Sequence, residues 1–331
     1  MTARNIFRIL ILSLFLIAIS PSAKAHYVIK FGIYVKHLAI QKSGFLFDAN
    51  FYWWMKVPIN HKSIDMENPL KNIEFTNAEN IETLIIEKTI VGNEYLINGS
   101  AKGTFLYEAN YRNYPFDSQN LSIIVENTTD EKNKCIMLSD SFAYFKNGYF
   151  DINKIIHKGI YLEGISIKGV KIKNDDGFYN SNFGDQEANI QSTTYSRLSY
   201  NFLVERHYFS YFLKLIIPLF IIVVLSYLVF FIPSSQLEVA SSLTVTALIA
   251  AVAFQITISD DIPTVGYTTS CDLIFYLSYT TIMIAMIQTI YTYNLEKKGN
   301  MKLSQIIEKI GRWALPIFYV LILCIIVLIS T

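Results

Sequence analysis

The distribution of apolar and polar positions divides the chain into two unlike parts. Residues 26–206 mix the two kinds of residue over short distances, whereas four long apolar runs follow one another from residue 207 onward. These runs cover 209–231, 239–258, 273–293 and 313–329. With a rise of about 1.5 Å per residue, a helix of each length crosses or nearly crosses about 30 Å of hydrocarbon. We therefore predict one domain at 26–206 and a bundle of four transmembrane helices at 207–331.

Alternation of apolar and polar residues is clearest between Phe45 and Lys56. Phe47, Phe51 and Trp53 fall on one face of an extended chain, and the residues between them fall on the other face. A period of two is typical of a strand with one buried face. Further β-rich stretches, separated by Gly, Asn and Asp, lie at 28–39, 121–125, 159–173 and 193–206. Short strands at this spacing predict an all-β, immunoglobulin-like sandwich.

The first 25 residues have the parts of a secretory signal peptide. Arg4 and Arg8 are positively charged, residues 9–19 are apolar, and residues 23–25 read Ala-Lys-Ala, an A-x-A cleavage site. The alternative is a short first membrane anchor, but the apolar run is too short to span the bilayer. We therefore expect residues 1–25 to be a signal peptide and the mature, exported chain to begin at His26.

Composition and charge narrow the function classes. The chain is 52% apolar and 17% charged, whereas soluble domains have about 45–50% apolar and about 25% charged residues. A net charge of +1 gives no basic field for nucleic acid. No Cys or His spacing indicates a metal site, and 26–206 contains no nucleophile–base pair. We therefore predict a membrane protein without a nucleic-acid partner, a metal or a cofactor, and without enzymatic activity.

Charges between the apolar runs indicate their orientation. The segment between the third and fourth runs contains five basic residues, Lys297, Lys298, Lys302, Lys309 and Arg312. The segment between the second and third runs contains Asp260 and Asp261 instead. Because basic loops stay in the cytoplasm, this pattern places the N-terminal domain and the C-terminus outside.

The second apolar run has a polar stripe that is unusual for a membrane helix. Steps of four and three place these residues on one face: Glu238, Ser242, Thr246, Ile249, Ala253, Ile256 and Asp260. Such a stripe faces a bundle interior or a water path. A ring of copies predicts a pore with acidic ends and an apolar constriction that closes by dewetting. Alternatively, Glu238 favours the helix N-terminus and the hydroxyls bond only to carbonyls of their own helix.

The segment Tyr111-Arg-Asn-Tyr-Pro-Phe-Asp-Ser-Gln119 resembles the hallmark loop of the pentameric ligand-gated ion channels, the Cys-loop receptor superfamily, which reads aromatic-Pro-Phe-Asp-x-Gln. The two cysteines that flank this loop in animal members are replaced by Tyr107 and Leu121, as in bacterial relatives. Further matching pieces follow in family order at Arg206, Pro218, 248–255, 261–263, 267–269 and 312–316.

This resemblance implies a homopentamer in a bacterial inner membrane, with the sandwich in the periplasm and the second helix lining the pore. The partners it implies are further copies of the chain, membrane lipids, inorganic cations and an agonist bound between neighbouring sandwiches. We expect Glu238 to select cations, because anion-selective relatives usually have a Pro-Ala insertion and a basic residue near this point. A competing interpretation gives the narrowest ring to Ser242. We expect the gate at Ile249, supported by Ala253 and Ile256; the alternative is that these isoleucines pack between helices.

For coupling between the sandwich and the membrane, the resemblance implies a pair between Asp117 and Arg206. The neighbouring loop residues Pro115, Phe116 and Pro263 belong to the same junction. An acid from the loop between the first two strands often completes this cluster in the family. This chain has Gln41-Lys-Ser-Gly44 at that place, so the third member is missing or replaced.

An amine-like agonist is one expectation for the site between subunits, because aromatic faces attract cations. The residues that family order brings to this site are Tyr52, Trp54, Phe75, Glu126, Phe178, Tyr179 and Phe183. The alternative for each ring is ordinary packing in a chain with 15% aromatic residues. Protons are the other candidate stimulus, with His157, His207, Asp185 and Glu187 as further titratable groups. A non-conducting receptor and an anion-selective channel remain the alternative functions.

Overall fold

A computed structural model describes the chain at 27–41, 44–59, 65, 67–146, 148–157, 165–183, 193–259 and 265–330. The predicted signal peptide at 1–25 lies outside the described residues. The described strands are β1 Tyr27–Ile40, β2 Leu46–Pro58, β3 Ile73–Glu74, β4 Ala78–Val91, β5 Glu94–Leu106, β6 Ser118–Asn127, β7 Cys135–Ser139, β8 Phe145–Lys146, β9 Tyr149–Phe150, β10 Ile165–Tyr179 and β11 Thr193–Arg206. The described α-helices are α1 Tyr208–Tyr227, α2 Leu237–Ser259, α3 Ser270–Lys297 and α4 Met301–Ser330.

Two sheets form the N-terminal sandwich. One has the strand order β4-β5-β2-β1-β7 and the other has the order β10-β11-β6-β3. All neighbours in these sheets are antiparallel except β1 and β7, which pair in parallel. A small hairpin, β8-β9, stands apart. The β-sandwich followed by four apolar helices confirms the predicted fold class.

The sandwich core contains the side chains that the alternating pattern turned inward. Phe47, Phe51 and Trp53 of β2 are fully or almost fully buried, while the side chains between them are at least partly exposed. Phe31 of β1 stacks on Trp53, with 6.1 Å between the ring centroids. Burial of such side chains contributes about 1.5–3 kcal/mol each, so this layer is the main source of stability in the domain.

The hairpin formed by β4 and β5 was not anticipated from the sequence. Gly92, at the turn, has φ of 62°, a conformation that glycine adopts without the steric cost of a Cβ. β4 is an edge strand, and it leaves Leu84, Ile86 and Ile90 exposed. A row of exposed apolar residues on a sheet edge indicates a surface that packs against another protein.

The four helices are long and apolar enough to cross a membrane. The last one begins at Met301, whereas the apolar run predicted a start at 313. The polar first turns remain helical because they pack on the end of α3. There the Ser304 hydroxyl donates to the Thr292 carbonyl at 3.3 Å, and the Gln288 amide donates to the Ile307 carbonyl at 2.8 Å.

Candidate functional site

The exposed side of α2 carries the stripe that the sequence predicted to line a pore. Small side chains occupy the buried side, at Ala240, Thr244, Ala247 and Ala251. The described members of the stripe are all exposed in the single chain: Glu238, Ser242, Thr246, Ile249, Ala253 and Ile256. Ile249 is 64% exposed and Ile256 is 63% exposed, so both point away from their own bundle. Asp260 lies outside the described residues.

Hydrogen bonds inside α2 leave its acid unengaged by its own bundle. The Thr246 hydroxyl donates to the Ser242 carbonyl at 2.8 Å, which is the local bonding that the alternative interpretation expected of hydroxyls. Glu238, in contrast, is exposed in the first turn of the helix. A carboxylate there is favoured by the helix dipole and remains accessible to passing ions.

The segment before α2 is fastened to the start of α4. The Arg312 guanidinium donates to the Phe230 carbonyl at 2.8 Å, and the Tyr227 hydroxyl donates to the Arg312 carbonyl at 2.8 Å. Ser234 is hydrogen-bonded to Glu308 of α4. These contacts fix the turn from which Glu238 projects.

At the opposite end of the bundle, Arg206 pairs with Asp117. The Arg206 Nε and the Asp117 Oδ1 are 3.1 Å apart, and the two side chains are only 14% and 2% exposed. The Gln119 amide donates to the other carboxylate oxygen at 2.7 Å. The guanidinium also lies 5.0 Å from the centroid of the Tyr114 ring and 5.8 Å from that of Tyr211. Burial opposes the charge on Arg206, but Asp117 outweighs it and raises the pKa of the guanidinium.

Tyr111 connects three loops at this junction. Its hydroxyl donates to the Gly44 carbonyl at 2.9 Å and lies 2.6 Å from the Tyr107 hydroxyl. Its backbone N–H donates to the Tyr267 hydroxyl at 2.9 Å. Burial raises the pKa of Tyr107 and of Tyr111, so both hydroxyls stay protonated at neutral pH. Tyr111 therefore reaches the loop between β1 and β2, where the sequence offered no acid.

The remaining junction predictions fall in different places. Phe116 packs against Phe212 of α1, with ring centroids 5.7 Å apart. Pro115 follows Tyr114 through a cis peptide bond. The Arg112 carbonyl accepts from the Ser270 N–H at 2.8 Å, which joins the hallmark loop to the start of α3. Pro263 lies outside the described residues.

Higher in the sandwich, Glu126 of β6 faces Arg197 of β11 in register. The Arg197 Nε donates to the Glu126 Oε2 at 2.7 Å. The Tyr179 hydroxyl donates to the other carboxylate oxygen at 2.9 Å and accepts from the Arg197 Nη2 at 3.3 Å. Partial burial opposes the charge on Arg197, but Glu126 outweighs it and raises the pKa of the guanidinium. The acid expected to meet an amine agonist is thus already ion-paired.

Three rings stand next to this pair. The centroid distances are 5.4 Å between Tyr179 and Phe183, 6.0 Å between Tyr179 and Tyr195, and 6.4 Å between Phe183 and Tyr195. All three contacts are edge-on, a favourable geometry for aromatic pairs. Phe178 lies nearby on β10 and is exposed. We call Tyr179, Phe183 and Tyr195 the aromatic triangle.

The other predicted ligand residues lie on or under β2 and its neighbours. Tyr52 is 43% exposed, and the Lys36 ammonium lies over its ring at 4.0 Å from the centroid. The Trp54 indole donates to the Asp140 carboxylate at 2.9 Å. Phe75 is 7% exposed and gives its ring to the core, edge-on to Phe31, Phe51 and Phe105.

Several residues of these clusters were not singled out from the sequence: Lys36, Tyr107, Tyr111, Tyr195, Arg197 and Tyr267. Tyr107 carried a signal, because it stands where animal members of the family have a cysteine. Arg197 carried none that a single chain displays, since its partner is 71 residues away.

Comparison with known proteins agrees with this architecture. No family model matches the chain. The proton-gated ion channel of Gloeobacter violaceus is 25% identical over 258 residues, which make up 76% of this chain and 65% of that channel. The human gamma-aminobutyric acid receptor subunit rho-3 is 24% identical over 178 residues, 54% of this chain and 34% of that subunit. The human rho-2 subunit is 24% identical over 187 residues, 56% of this chain and 36% of that subunit.

These relatives confirm the resemblance to the pentameric ligand-gated channels that the hallmark loop indicated. The chain spans less than two thirds of the length of each relative. Together with the four apolar helices, the similarity identifies a multi-pass membrane protein. The names of the relatives describe channels and receptor subunits rather than enzymes, which agrees with the predicted absence of catalysis.

Proposed function

We propose that this relative of the pentameric ligand-gated ion channels is one subunit of a homopentameric, cation-selective channel. Its helices cross a bacterial inner membrane, with the sandwich and the C-terminus on the periplasmic side, and it catalyses no reaction. The observation that carries the proposal is the polar stripe of α2, which is exposed while small residues cover the opposite side. A helix that turns its polar side away from its own bundle needs further copies around a water path.

The pore follows from a ring of five α2 helices. Five copies of Glu238 place a ring of carboxylates at the cytoplasmic mouth, which attracts cations and repels anions. Ser242 and Thr246 line the next turns with hydroxyls. Ile249, Ala253 and Ile256 form the apolar section, which loses its water and stops conduction when the ring narrows.

The exposed apolar edge of β4 supports assembly. Leu84, Ile86 and Ile90 are exposed in the single chain, and a closed ring buries the same surface in every copy. Tyr52 and the aromatic triangle then face each other across the boundary between neighbours. The agonist, an amine or protons in the first instance, acts at this boundary.

Coupling runs through the junction. Arg206 at the end of β11 holds Asp117, and Tyr111 holds both the Gly44 carbonyl and the Tyr267 hydroxyl. Tyr267 lies between α2 and α3. A change in the sandwich therefore reaches the end of α2 through hydrogen-bonded loops rather than through a flexible linker.

Voltage clamp of the expressed channel tests the proposal. The pH is stepped, because a relative is proton-gated, and primary amines are applied under a sodium chloride gradient. We expect currents that reverse near the sodium potential. Glu238→Gln should lose this preference, while Glu238→Asp, which keeps the charge, should retain it. Reversal near the chloride potential would instead identify an anion-selective channel.

A second pair of variants separates a silent channel from a non-conducting receptor of the same fold. Ile249→Ser places a hydroxyl in the apolar section and should open the pore without any agonist. Leu248→Ser makes the same change at the neighbouring position, which is partly buried against the bundle, and should not open it. Absence of current from Ile249→Ser, with the pentamer present at the surface, would contradict conduction.

A further inference from the structure

The chain's own cations occupy the features that were expected to hold an amine. Glu126 is bound by Arg197, and the face of Tyr52 is covered by Lys36. The Trp54 indole is engaged by Asp140, which also binds the Lys56 ammonium at 2.7 Å. A ligand that arrives at this boundary therefore meets cations first.

The pair at Glu126 presents its two charges unequally. The Arg197 side chain is 25% exposed and the Glu126 side chain 5% exposed. Glycine at position 177 makes room for this arrangement, since a Cβ there would lie 2.0 Å from the Glu126 carboxylate and 2.9 Å from the Arg197 Nη2. The carboxylate lies beneath the backbone of β10, and the guanidinium forms the accessible surface.

The opposite face of the subunit repeats this preference. The Lys36 ammonium lies on the exposed ring of Tyr52, where an amine ligand would have to replace one cation by another. The ring of Trp54 is not open either, because it lies flat on the backbone of Gly32, where a Cβ would be 2.2 Å from the ring. Exchange of one cation for another gains little attraction and costs desolvation of the displaced group.

We propose that the ligand of the boundary between neighbouring sandwiches is a carboxylate with a flat apolar body, rather than an amine. The carboxylate binds the accessible edge of Arg197 in one subunit and Lys36 in its neighbour, and the body lies against the aromatic triangle. A guanidinium fork matches a carboxylate in shape and charge. This inference rests on the proposed function, because the second face belongs to a neighbouring copy.

The test compares three probes that share one ring and differ in charge: benzoate, benzamide and benzylamine. Binding to the full-length protein in detergent is measured by saturation-transfer NMR at constant pH. Native mass spectrometry of the same sample counts the subunits. We expect benzoate to bind saturably at millimolar concentration, benzamide more weakly, and benzylamine not at all.

Variants assign the binding to the two cations. Arg197→Gln should weaken benzoate binding at least fivefold, and Lys36→Gln should weaken it several-fold. Glu126→Gln frees Arg197 from its partner, so benzoate binding should become tighter. Lys171→Gln removes the same charge from an exposed position elsewhere on β10 and should leave binding unchanged. If Arg197→Gln does not fold, the double variant Glu126→Gln/Arg197→Gln removes both charges together and should also lose benzoate.

The outcomes are distinct. Saturable benzylamine binding that disappears in Glu126→Gln would overturn the inference in favour of an amine site. A pentamer that binds none of the three probes would also overturn it, while leaving the proposed channel intact. A sample that contains no pentamer would contradict the proposed function itself, and the boundary site with it.

Discussion

The two ends of strand β11 carry the same kind of ion pair in different surroundings. Arg197 binds Glu126 at one end, and Arg206 binds Asp117 at the other. Both acids belong to β6 or to the residue just before it, and the two strands stay in register from one pair to the other. The Arg206 pair is enclosed by rings and by Gln119, whereas the Arg197 guanidinium reaches the surface.

This difference teaches what each pair does. An enclosed pair with its hydrogen bonds satisfied holds two elements in place and offers nothing to a ligand. A pair whose cation is accessible still has N–H donors to offer to an anion. One ladder of β6 and β11 thus has a recognition end and an anchoring end.

The largest expected effect breaks the anchoring end. Asp117→Asn leaves the Arg206 charge buried without its counter-charge, and such a loss costs about 3–5 kcal/mol. Glu126→Gln, the matched change at the other end, should cost about 1–3 kcal/mol, because Arg197 regains solvent. Thermal unfolding of both purified variants measures the difference. Equal losses of melting temperature would contradict the distinction between the two ends.

A change at Gly177 sharpens the comparison at the recognition end. Gly177→Ala places a methyl group 2.0 Å from the Glu126 carboxylate, so the ion pair has to shift. We expect a loss of about 1–3 kcal/mol and weaker benzoate binding. Gly169→Ala is the control on the same strand, because its Cβ would meet nothing within 4 Å. If both variants behave alike, the space over the pair is not what glycine provides.

The smallest expected effect concerns the hydroxyl of Tyr111 at the anchoring end. Tyr111→Phe keeps the ring but removes the bonds to Gly44 and Tyr107, which costs about 0.5–1.5 kcal/mol per bond. Gating by pH steps should shift in the same variant, because the loop between β1 and β2 is released. A double-mutant cycle with Tyr107→Phe measures the coupling of the two hydroxyls.

Tyr114→Phe is the control for that experiment. The structure records no hydrogen bond of the Tyr114 hydroxyl among the described residues, although its ring lies near Arg206 in the same way. Its loss of stability should stay below that of Tyr111→Phe. A larger effect at Tyr114 would assign the junction to ring packing instead of hydroxyl bonding.

Local periodicity was sufficient to predict part of the fold. The alternation at 45–56 places Phe51 and Trp53 inside, and the apolar runs predict all four helices, since both signals depend on near neighbours in the chain. The β4–β5 hairpin was missed because Leu84, Ile86 and Ile90 are exposed in the single subunit. An apolar strand face that waits for another copy does not show the polar alternation of a half-buried strand.

The candidate site was less accessible to prediction for a related reason. The stripe of α2 repeats at helical spacing and needs no knowledge of distant residues. The pair of Asp117 and Arg206 came only from the family resemblance, because its members are 89 residues apart. The occupation of Glu126 by Arg197 depends on strand register, which a single sequence does not reveal.

The hydroxyl contact between Tyr107 and Tyr111 also changes the redox requirements of the protein. Animal relatives close the hallmark loop with a disulfide, whereas here Tyr107 and Leu121 stand at those two positions. The cysteines among the described residues, Cys135, Cys271 and Cys324, are free. The loop therefore needs no thiol oxidase to mature, and a reductant that opens a disulfide-closed loop leaves this one unchanged.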